Sequence, residues 1–197
     1  MMSTDRSPNR SMQVVGAPRR SLFDAVRPAD VQAAGDRIRG PGGVALAALR
    51  HAGVTGGELT PADAVVLGGR AFGTLREGWM GAGEDDALAL GYGVAAIRSR
   101  RTAGGRTWVL LRTAAFTQGA TMEAAAMLPG LDPVRLCPVV VGPRSDAGRI
   151  VGLLRAMGLS VHQADNDDAW SVLSALDHAV RDAEDGASVV VATREDR

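Results

Sequence analysis

The sequence predicts an α/β domain built on a parallel sheet with helices on both faces. Two observations carry this. From Trp108 onward, short apolar runs rich in Val and Leu alternate with helical stretches, several of them ten or more residues long. Strands joined by such helices read as βαβ units, which pair in parallel and need cover on both faces. The second observation is size. At 197 residues and 46% apolar, the chain supplies one hydrophobic core and not two.

In chain order, residues 1–20 mix Ser, Pro, Arg and Asn without an apolar period and are expected to form a disordered tail. Residues 21–197 are expected to form the domain. Leu22, Val26, Val31, Ala34 and Ile38 fit helical spacing, interrupted at Pro28 and closed by Gly40-Pro41-Gly42-Gly43. Val44 to His51 reads as a second helix, and Ala64 to Leu67 as a short buried strand. A helical stretch is expected around Phe72 to Trp79, and an Ala/Leu-rich helix from Glu84 to Arg101. Then follow a strand at Trp108–Leu111, a helix at Met122–Leu128, and a strand at Leu136–Val141. The pattern closes with a helix at Ser145–Met157, a strand at Leu159–Ala164, a helix at Asp168–Asp182, and a strand at Ser188–Ala192. No internal repeat and no second domain are visible. In such sheets ligands bind beyond the carboxyl ends of the strands, so the loops after Leu111, Val141 and Ala164 are the expected site.

Composition excludes several chemistries. The chain has no lysine, so all 22 basic residues are arginine. Pyridoxal Schiff bases, P-loops and protein-kinase ATP sites each need a lysine. Arginine cannot substitute where deprotonation is required. With 22 acidic residues against 22 basic ones, the surplus typical of a nucleic-acid binder is missing. No apolar run is long enough to span a bilayer. One cysteine and no secretory pattern suit a cytoplasmic location.

Several candidate motifs have plainer readings. Gly91-Tyr92-Gly93-Val94-Ala95-Ala96 matches a dinucleotide fingerprint. However, the preceding residues are helix formers and no carboxylate lies near 111–116. The glycines are better explained by close approach of another backbone or a ligand. Asp165, Asp167 and Asp168 suit helix capping better than metal ligation. Cys137 lies on an apolar strand and reads as an inert buried thiol. His51 and His162 are isolated in sequence, and His178 shares a helix with Asp177 and Asp182. None of the three shows zinc spacing.

The stretch Trp108 to Met127, with Met122-Glu123-Ala124-Ala125 opening its helix, resembles the N-terminal, diphosphate-binding half of transketolases at the thiamine-diphosphate motif. Aligned without a gap, Arg112-Thr113-Ala114-Ala115 stands on the family's Gly-Asp-Gly-Glu. Leu90-Gly91-Tyr92-Gly93 is similar to its Leu-Gly-Gln-Gly. Downstream, Leu153 to Val161, Asp165 to Asp168 and Ala187 to Thr193 follow the family's order and spacing. The likeness runs from about residue 25 and is strong after about residue 84.

Departures from the pattern bear on function. The family's magnesium ligands are an aspartate, here Thr113, and an asparagine, here within Gly142-Pro143-Arg144. Its Gly-His-Gly becomes Gly69-Arg70-Ala71-Phe72. Mg²⁺ wants oxygen ligands, usually including a carboxylate, whereas Arg112 and Arg144 bring positive charge to the same place. The resemblance therefore implies a vestigial pocket or anion site at Arg112, Thr113, Arg144, Gly91 and Gly93. It implies no metal and no cofactor on this chain alone; thiamine diphosphate enters only with a partner chain. Because the sequence ends at Arg197, the pyrimidine-binding half is expected from a separate polypeptide, in a heterodimer or dimer of heterodimers.

Three functions remain open at this point. One is a working thiamine-dependent transferase subunit. The preferred one is a divergent half-subunit of a split transketolase-like complex in specialised metabolism. The third is a recruited, thiamine-independent enzyme that clamps an anionic substrate with Arg112 and Arg144. In the plainest case each arginine pairs with a nearby carboxylate such as Glu123 or Asp146 and plugs the pocket.

Overall fold

The computed structural model describes residues 21, 23, 26–54, 64–69, 72, 79–99, 106–130, 136–182 and 186–196. The expected tail, residues 1–20, lies outside them. Two helices lead, α1 (Pro28–Gly35) and α2 (Gly43–Val54). Then come β1 (Ala64–Gly68), β2 (Trp79–Ala82), α3 (Ala87–Ser99) and β3 (Thr107–Arg112). A 3₁₀ turn at Thr113–Thr117 opens into α4 (Gly119–Met127). The chain continues through β4 (Leu136–Pro143), α5 (Arg144–Ala156), β5 (Ser160–Asp165), α6 (Ala169–Asp182) and β6 (Ser188–Arg194).

The six strands form one sheet, in the order β2-β1-β3-β4-β6-β5, and every pair is parallel. The inner strands β1, β3, β4 and β6 are buried almost end to end, which their unbroken Val/Leu runs require once both faces are covered. The edge strands β2 and β5 are only partly covered.

Alternate residues feed two cores. Val65, Leu67, Leu110, Val139, Val141 and Val190 face α1, α2 and α6. Val66, Val109, Leu111, Val140, Val189 and Val191 face α3, α4 and α5. Burying these side chains contributes roughly 1.5–3 kcal/mol each relative to exposure, and this holds the sheet that carries the site. Gly91 is the close-approach point of α3, because a Cβ there would collide with the Val109 side chain on β3.

Two expectations need correction. Of the helix expected from Phe72 to Trp79, residues 73–78 lie outside the described residues, and Trp79 opens the edge strand β2, paired with Val65. The helix expected from Glu84 begins only at Ala87, because residues 84–86 form a turn. Arg101 lies outside the described residues.

Candidate functional site

Sheet order fixes where a site can form. From β1 the chain goes outward to β2 and then crosses back to β3, so order reverses at the β1/β3 boundary. At the other end it goes from β4 out to β5 and returns to β6 between them. Crevices open beyond the carboxyl ends of strands at such reversals. Both are occupied by an arginine reaching past an intervening strand to a carboxylate.

Arg112 ends β3 and its guanidinium reaches past the end of β1 to Glu84, which follows β2. Nε donates to Glu84 Oε1 at 2.6 Å, and Nη2 donates to Glu84 Oε2. This is a bidentate fork, the strongest arrangement of these two groups. The hydrogen bond to Glu84 raises the Arg112 pKa above its ordinary value, against the opposing effect of burial.

Arg144, the first residue of α5, donates from Nη2 to Asp165 Oδ2 at 3.1 Å, and its Nη1 lies 3.9 Å from Glu195 Oε1. Asp165 ends β5 and Glu195 follows β6. The expected partners, Glu123 and Asp146, are therefore replaced by Glu84 for one arginine and by Asp165 with Glu195 for the other. Parallel pairing explains this: the carboxyl ends of all the strands lie along one edge of the sheet, which brings Glu84, Arg112, Asp165 and Glu195 there, while Asp146 is taken by Thr113 and Arg149.

Between the two arginines, Thr113 is buried and its hydroxyl donates to Asp146 Oδ2 at 2.6 Å. Arg149 lies 3.7 Å from the other oxygen of Asp146. Gly142 permits this packing, since a Cβ there would come within 2.6 Å of Thr113 Cγ2. β3 and β4 are in register here, with Arg112 opposite Val141.

Beneath Asp165 lies a polar knot that sequence reasoning missed. Asn166 is buried, and its backbone N–H donates to Thr193 O at 2.7 Å. Its side-chain oxygen accepts the Ala45 N–H at 2.8 Å, and its Nδ2 donates to Pro41 O at 3.0 Å. Asn166 thus caps α2 from a distant part of the chain, which local N-cap patterns cannot show. Gln32 does the same for α6, accepting the Ala169 N–H at 2.8 Å. Asp168 caps α6 locally by accepting the Trp170 N–H at 3.0 Å, as its position before that helix predicts.

The remaining candidates lie elsewhere. Gly91 is buried against β3, and Gly93, two residues on along α3, faces open space. Cys137 is buried, and burial pushes its thiol up to about 12, partly opposed by the Arg106 charge. His162 and His178, distant in sequence, stack with ring centroids 6.2 Å apart. His162 Nε2 lies 3.4 Å from Asp182 Oδ2, and burial first, with the His178 charge, lowers its pKa against the pull of Asp182. Among the described residues no three His, Cys, Asp or Glu side chains are grouped to hold a metal ion.

These residues do not fit a Mg²⁺-diphosphate anchor. Glu84 and Asp165 are each engaged by an arginine, and Asp146 by the Thr113 hydroxyl. A cation there would have to displace guanidinium groups of its own sign.

No family model matches the chain, and no curated protein matches it in sequence. Solved structures do. A transketolase mutant from Pichia stipitis in complex with xylulose 5-phosphate is 15% identical, with a TM-score of 0.55 over 87% of this chain and 35% of that one. The same organism's transketolase with sedoheptulose 7-phosphate gives 14% identity and a TM-score of 0.54 over the same shares. A transketolase from Leishmania mexicana overlaps 56% of this chain and 19% of its own, at 16% identity and a TM-score of 0.42. This chain has a transketolase-like α/β fold, and spans about a third or less of the length of the transketolases it matches. No described helix is long and apolar enough to cross a membrane.

Proposed function

We propose that this chain is a divergent subunit of a split transketolase-like complex, catalysing ketol-type group transfer only together with a partner chain carrying the pyrimidine-type domain. In this reading it has lost the magnesium-diphosphate site and serves as scaffold or regulator. The observation that carries the reading is the Arg112–Glu84 fork across the β1/β3 reversal. A guanidinium paired with a carboxylate of its own chain closes this end of the sheet internally, at the place where the resemblance puts the magnesium-diphosphate anchor.

The outer surface of α3 supports the partner. Leu90 and Ile97 are exposed there, as is Met127 on the neighbouring α4, and these are three of the four exposed large apolar side chains among the described residues. The fourth, Trp170, lies on α6 and is stacked on Phe23 with ring centroids 4.8 Å apart, and α5 turns charged residues such as Arg149 outward. An uncovered apolar helix face is a seat for another surface.

The test is calorimetric titration of the purified protein with thiamine diphosphate and Mg²⁺. No saturable, Mg²⁺-dependent binding is expected at micromolar concentration. Such binding by the chain alone would overturn the reading.

A further inference from the structure

We infer that Arg112 forms an oxyanion-binding subsite at the β1/β3 crevice, and that Glu84 occupies it as an internal stand-in for an anionic ligand. The inference deepens the closed-pocket reading and rests on it for the resting state only: it makes the closure reversible.

Glu84 meets the guanidinium as a two-oxygen ligand would, with one carboxylate oxygen on Nε and the other on Nη2. Phosphates and carboxylates bind arginine through the same edge. The pair is not sealed, because the Arg112 side chain is 38% exposed and that of Glu84 23%. Solvent reaches both, so a dissolved anion can compete without the core opening. Exchanging one oxyanion for another leaves the guanidinium paired, so it costs the fold little.

The two partners also differ in how they are held. Arg112 ends an inner strand, hydrogen-bonded into the sheet and registered opposite Val141 on β4. Glu84 lies on the turn at residues 84–86, between β2 and α3. The wall beside it is bare backbone: a Cβ on Gly69, which has φ of +87°, would sit 3.6 Å from Glu84 Cβ. When Glu84 swings out, no side chain at position 69, just after β1, fills the space. The nearby Asp146 charge is countered by Arg149 and the Thr113 hydroxyl, so it does not compete with Glu84 for Arg112.

The ligand class is an oxyanion with two oxygens on one atom, either a phosphate or a carboxylate. Inorganic phosphate and acetate, titrated separately at constant ionic strength, distinguish the two. Glu84→Gln is expected to bind at least one of them about tenfold or more tightly than the wild type, the gain of one unopposed charge-assisted fork. Adding Arg112→Ala to Glu84→Gln is expected to remove the gain.

Equal binding by Glu84→Gln and wild type would overturn the proposal, as would a gain that survives loss of Arg112. Should Glu84→Gln not fold, the wild type carries the test. Phosphate or acetate at tens of millimolar is then expected to raise its melting temperature relative to chloride, and not that of Arg112→Ala; equal responses would overturn the proposal. Wild-type binding of thiamine diphosphate with Mg²⁺ would instead overturn the closed-pocket reading, and it is measured separately.

Discussion

The two ends of the sheet use one device with different weight. At the β1/β3 reversal Arg112 grips Glu84 through two hydrogen bonds from a half-buried position. At the β4/β5 return Arg144 makes one hydrogen bond to Asp165, with Glu195 at 3.9 Å, and its side chain is 55% exposed. Beneath the first pair lies another charged contact, Thr113 on Asp146. Beneath the second lies a neutral knot, Asn166 and Gln32, tying β5, β6, α1, α2 and α6 together. The first end is closed by its ion pair. The second is closed by the amides of buried Asn166 and half-buried Gln32, and its ion pair sits on top.

The contrast makes its largest claim at Asn166. Asn166→Ala removes the acceptor of the Ala45 N–H, in a buried site, and the donor to Pro41 O, in a part-buried one. Leaving such groups unsatisfied costs about 1–3 kcal/mol. Unfolding in denaturant is expected to show a loss of about 2–3 kcal/mol, larger than for either arginine. A loss below about 1 kcal/mol would show that the β5 end does not depend on the knot.

Next comes the fork. Arg112→Ala leaves the Glu84 carboxylate half-buried without its partner, and Glu84→Ala does the reverse. Each is expected to cost about 1–2 kcal/mol, in the range of hydrogen bonds to charged groups after discounting for solvent. The double variant should cost less than the sum, and this coupling is what a double-mutant cycle measures. Additive losses would mean that the two side chains act independently and that the crevice is not closed by their pairing.

The sequence displayed one layer of this arrangement and hid the other. Inner strands such as Leu136–Val141 were legible because burial on both faces demands unbroken apolar runs. The edge strand β2 was not: Trp79-Met80-Gly81-Ala82 is four residues long, with two glycine or alanine positions and no alternation. That Arg112 and Arg144 stand at strand ends also followed from the strand pattern. Their partners did not, because Glu84 and Asp165 come beside them only through sheet order, and each pair bridges past a strand from another part of the chain. Asn166 was hidden for the same reason. It caps a helix that begins more than a hundred positions earlier, so no local pattern marks it.

The smallest effect is expected at Arg144. Its pair with Asp165 is exposed on both sides, at 55% and 41%, and such pairs contribute about 0–1 kcal/mol. Asp165 also does not need the arginine for its place. Its Oδ1 accepts the Asp167 N–H at 2.9 Å, and its own N–H donates to Ser171 Oγ at 2.9 Å. Arg144→Ala is therefore expected to lower stability by no more than about 0.5 kcal/mol, and raising the salt concentration to about 1 M should erase the difference, since the Debye length then falls to about 3 Å. The Arg112→Ala loss should shrink less under the same salt, because its fork is better shielded and its hydrogen bonds are not screened as a bare charge is. Paired unfolding curves at low and high salt read both. If Arg144→Ala cost as much as Arg112→Ala, or if both lost their effect equally in salt, the two ends would be equivalent, and shielding of the β3 fork would no longer distinguish them.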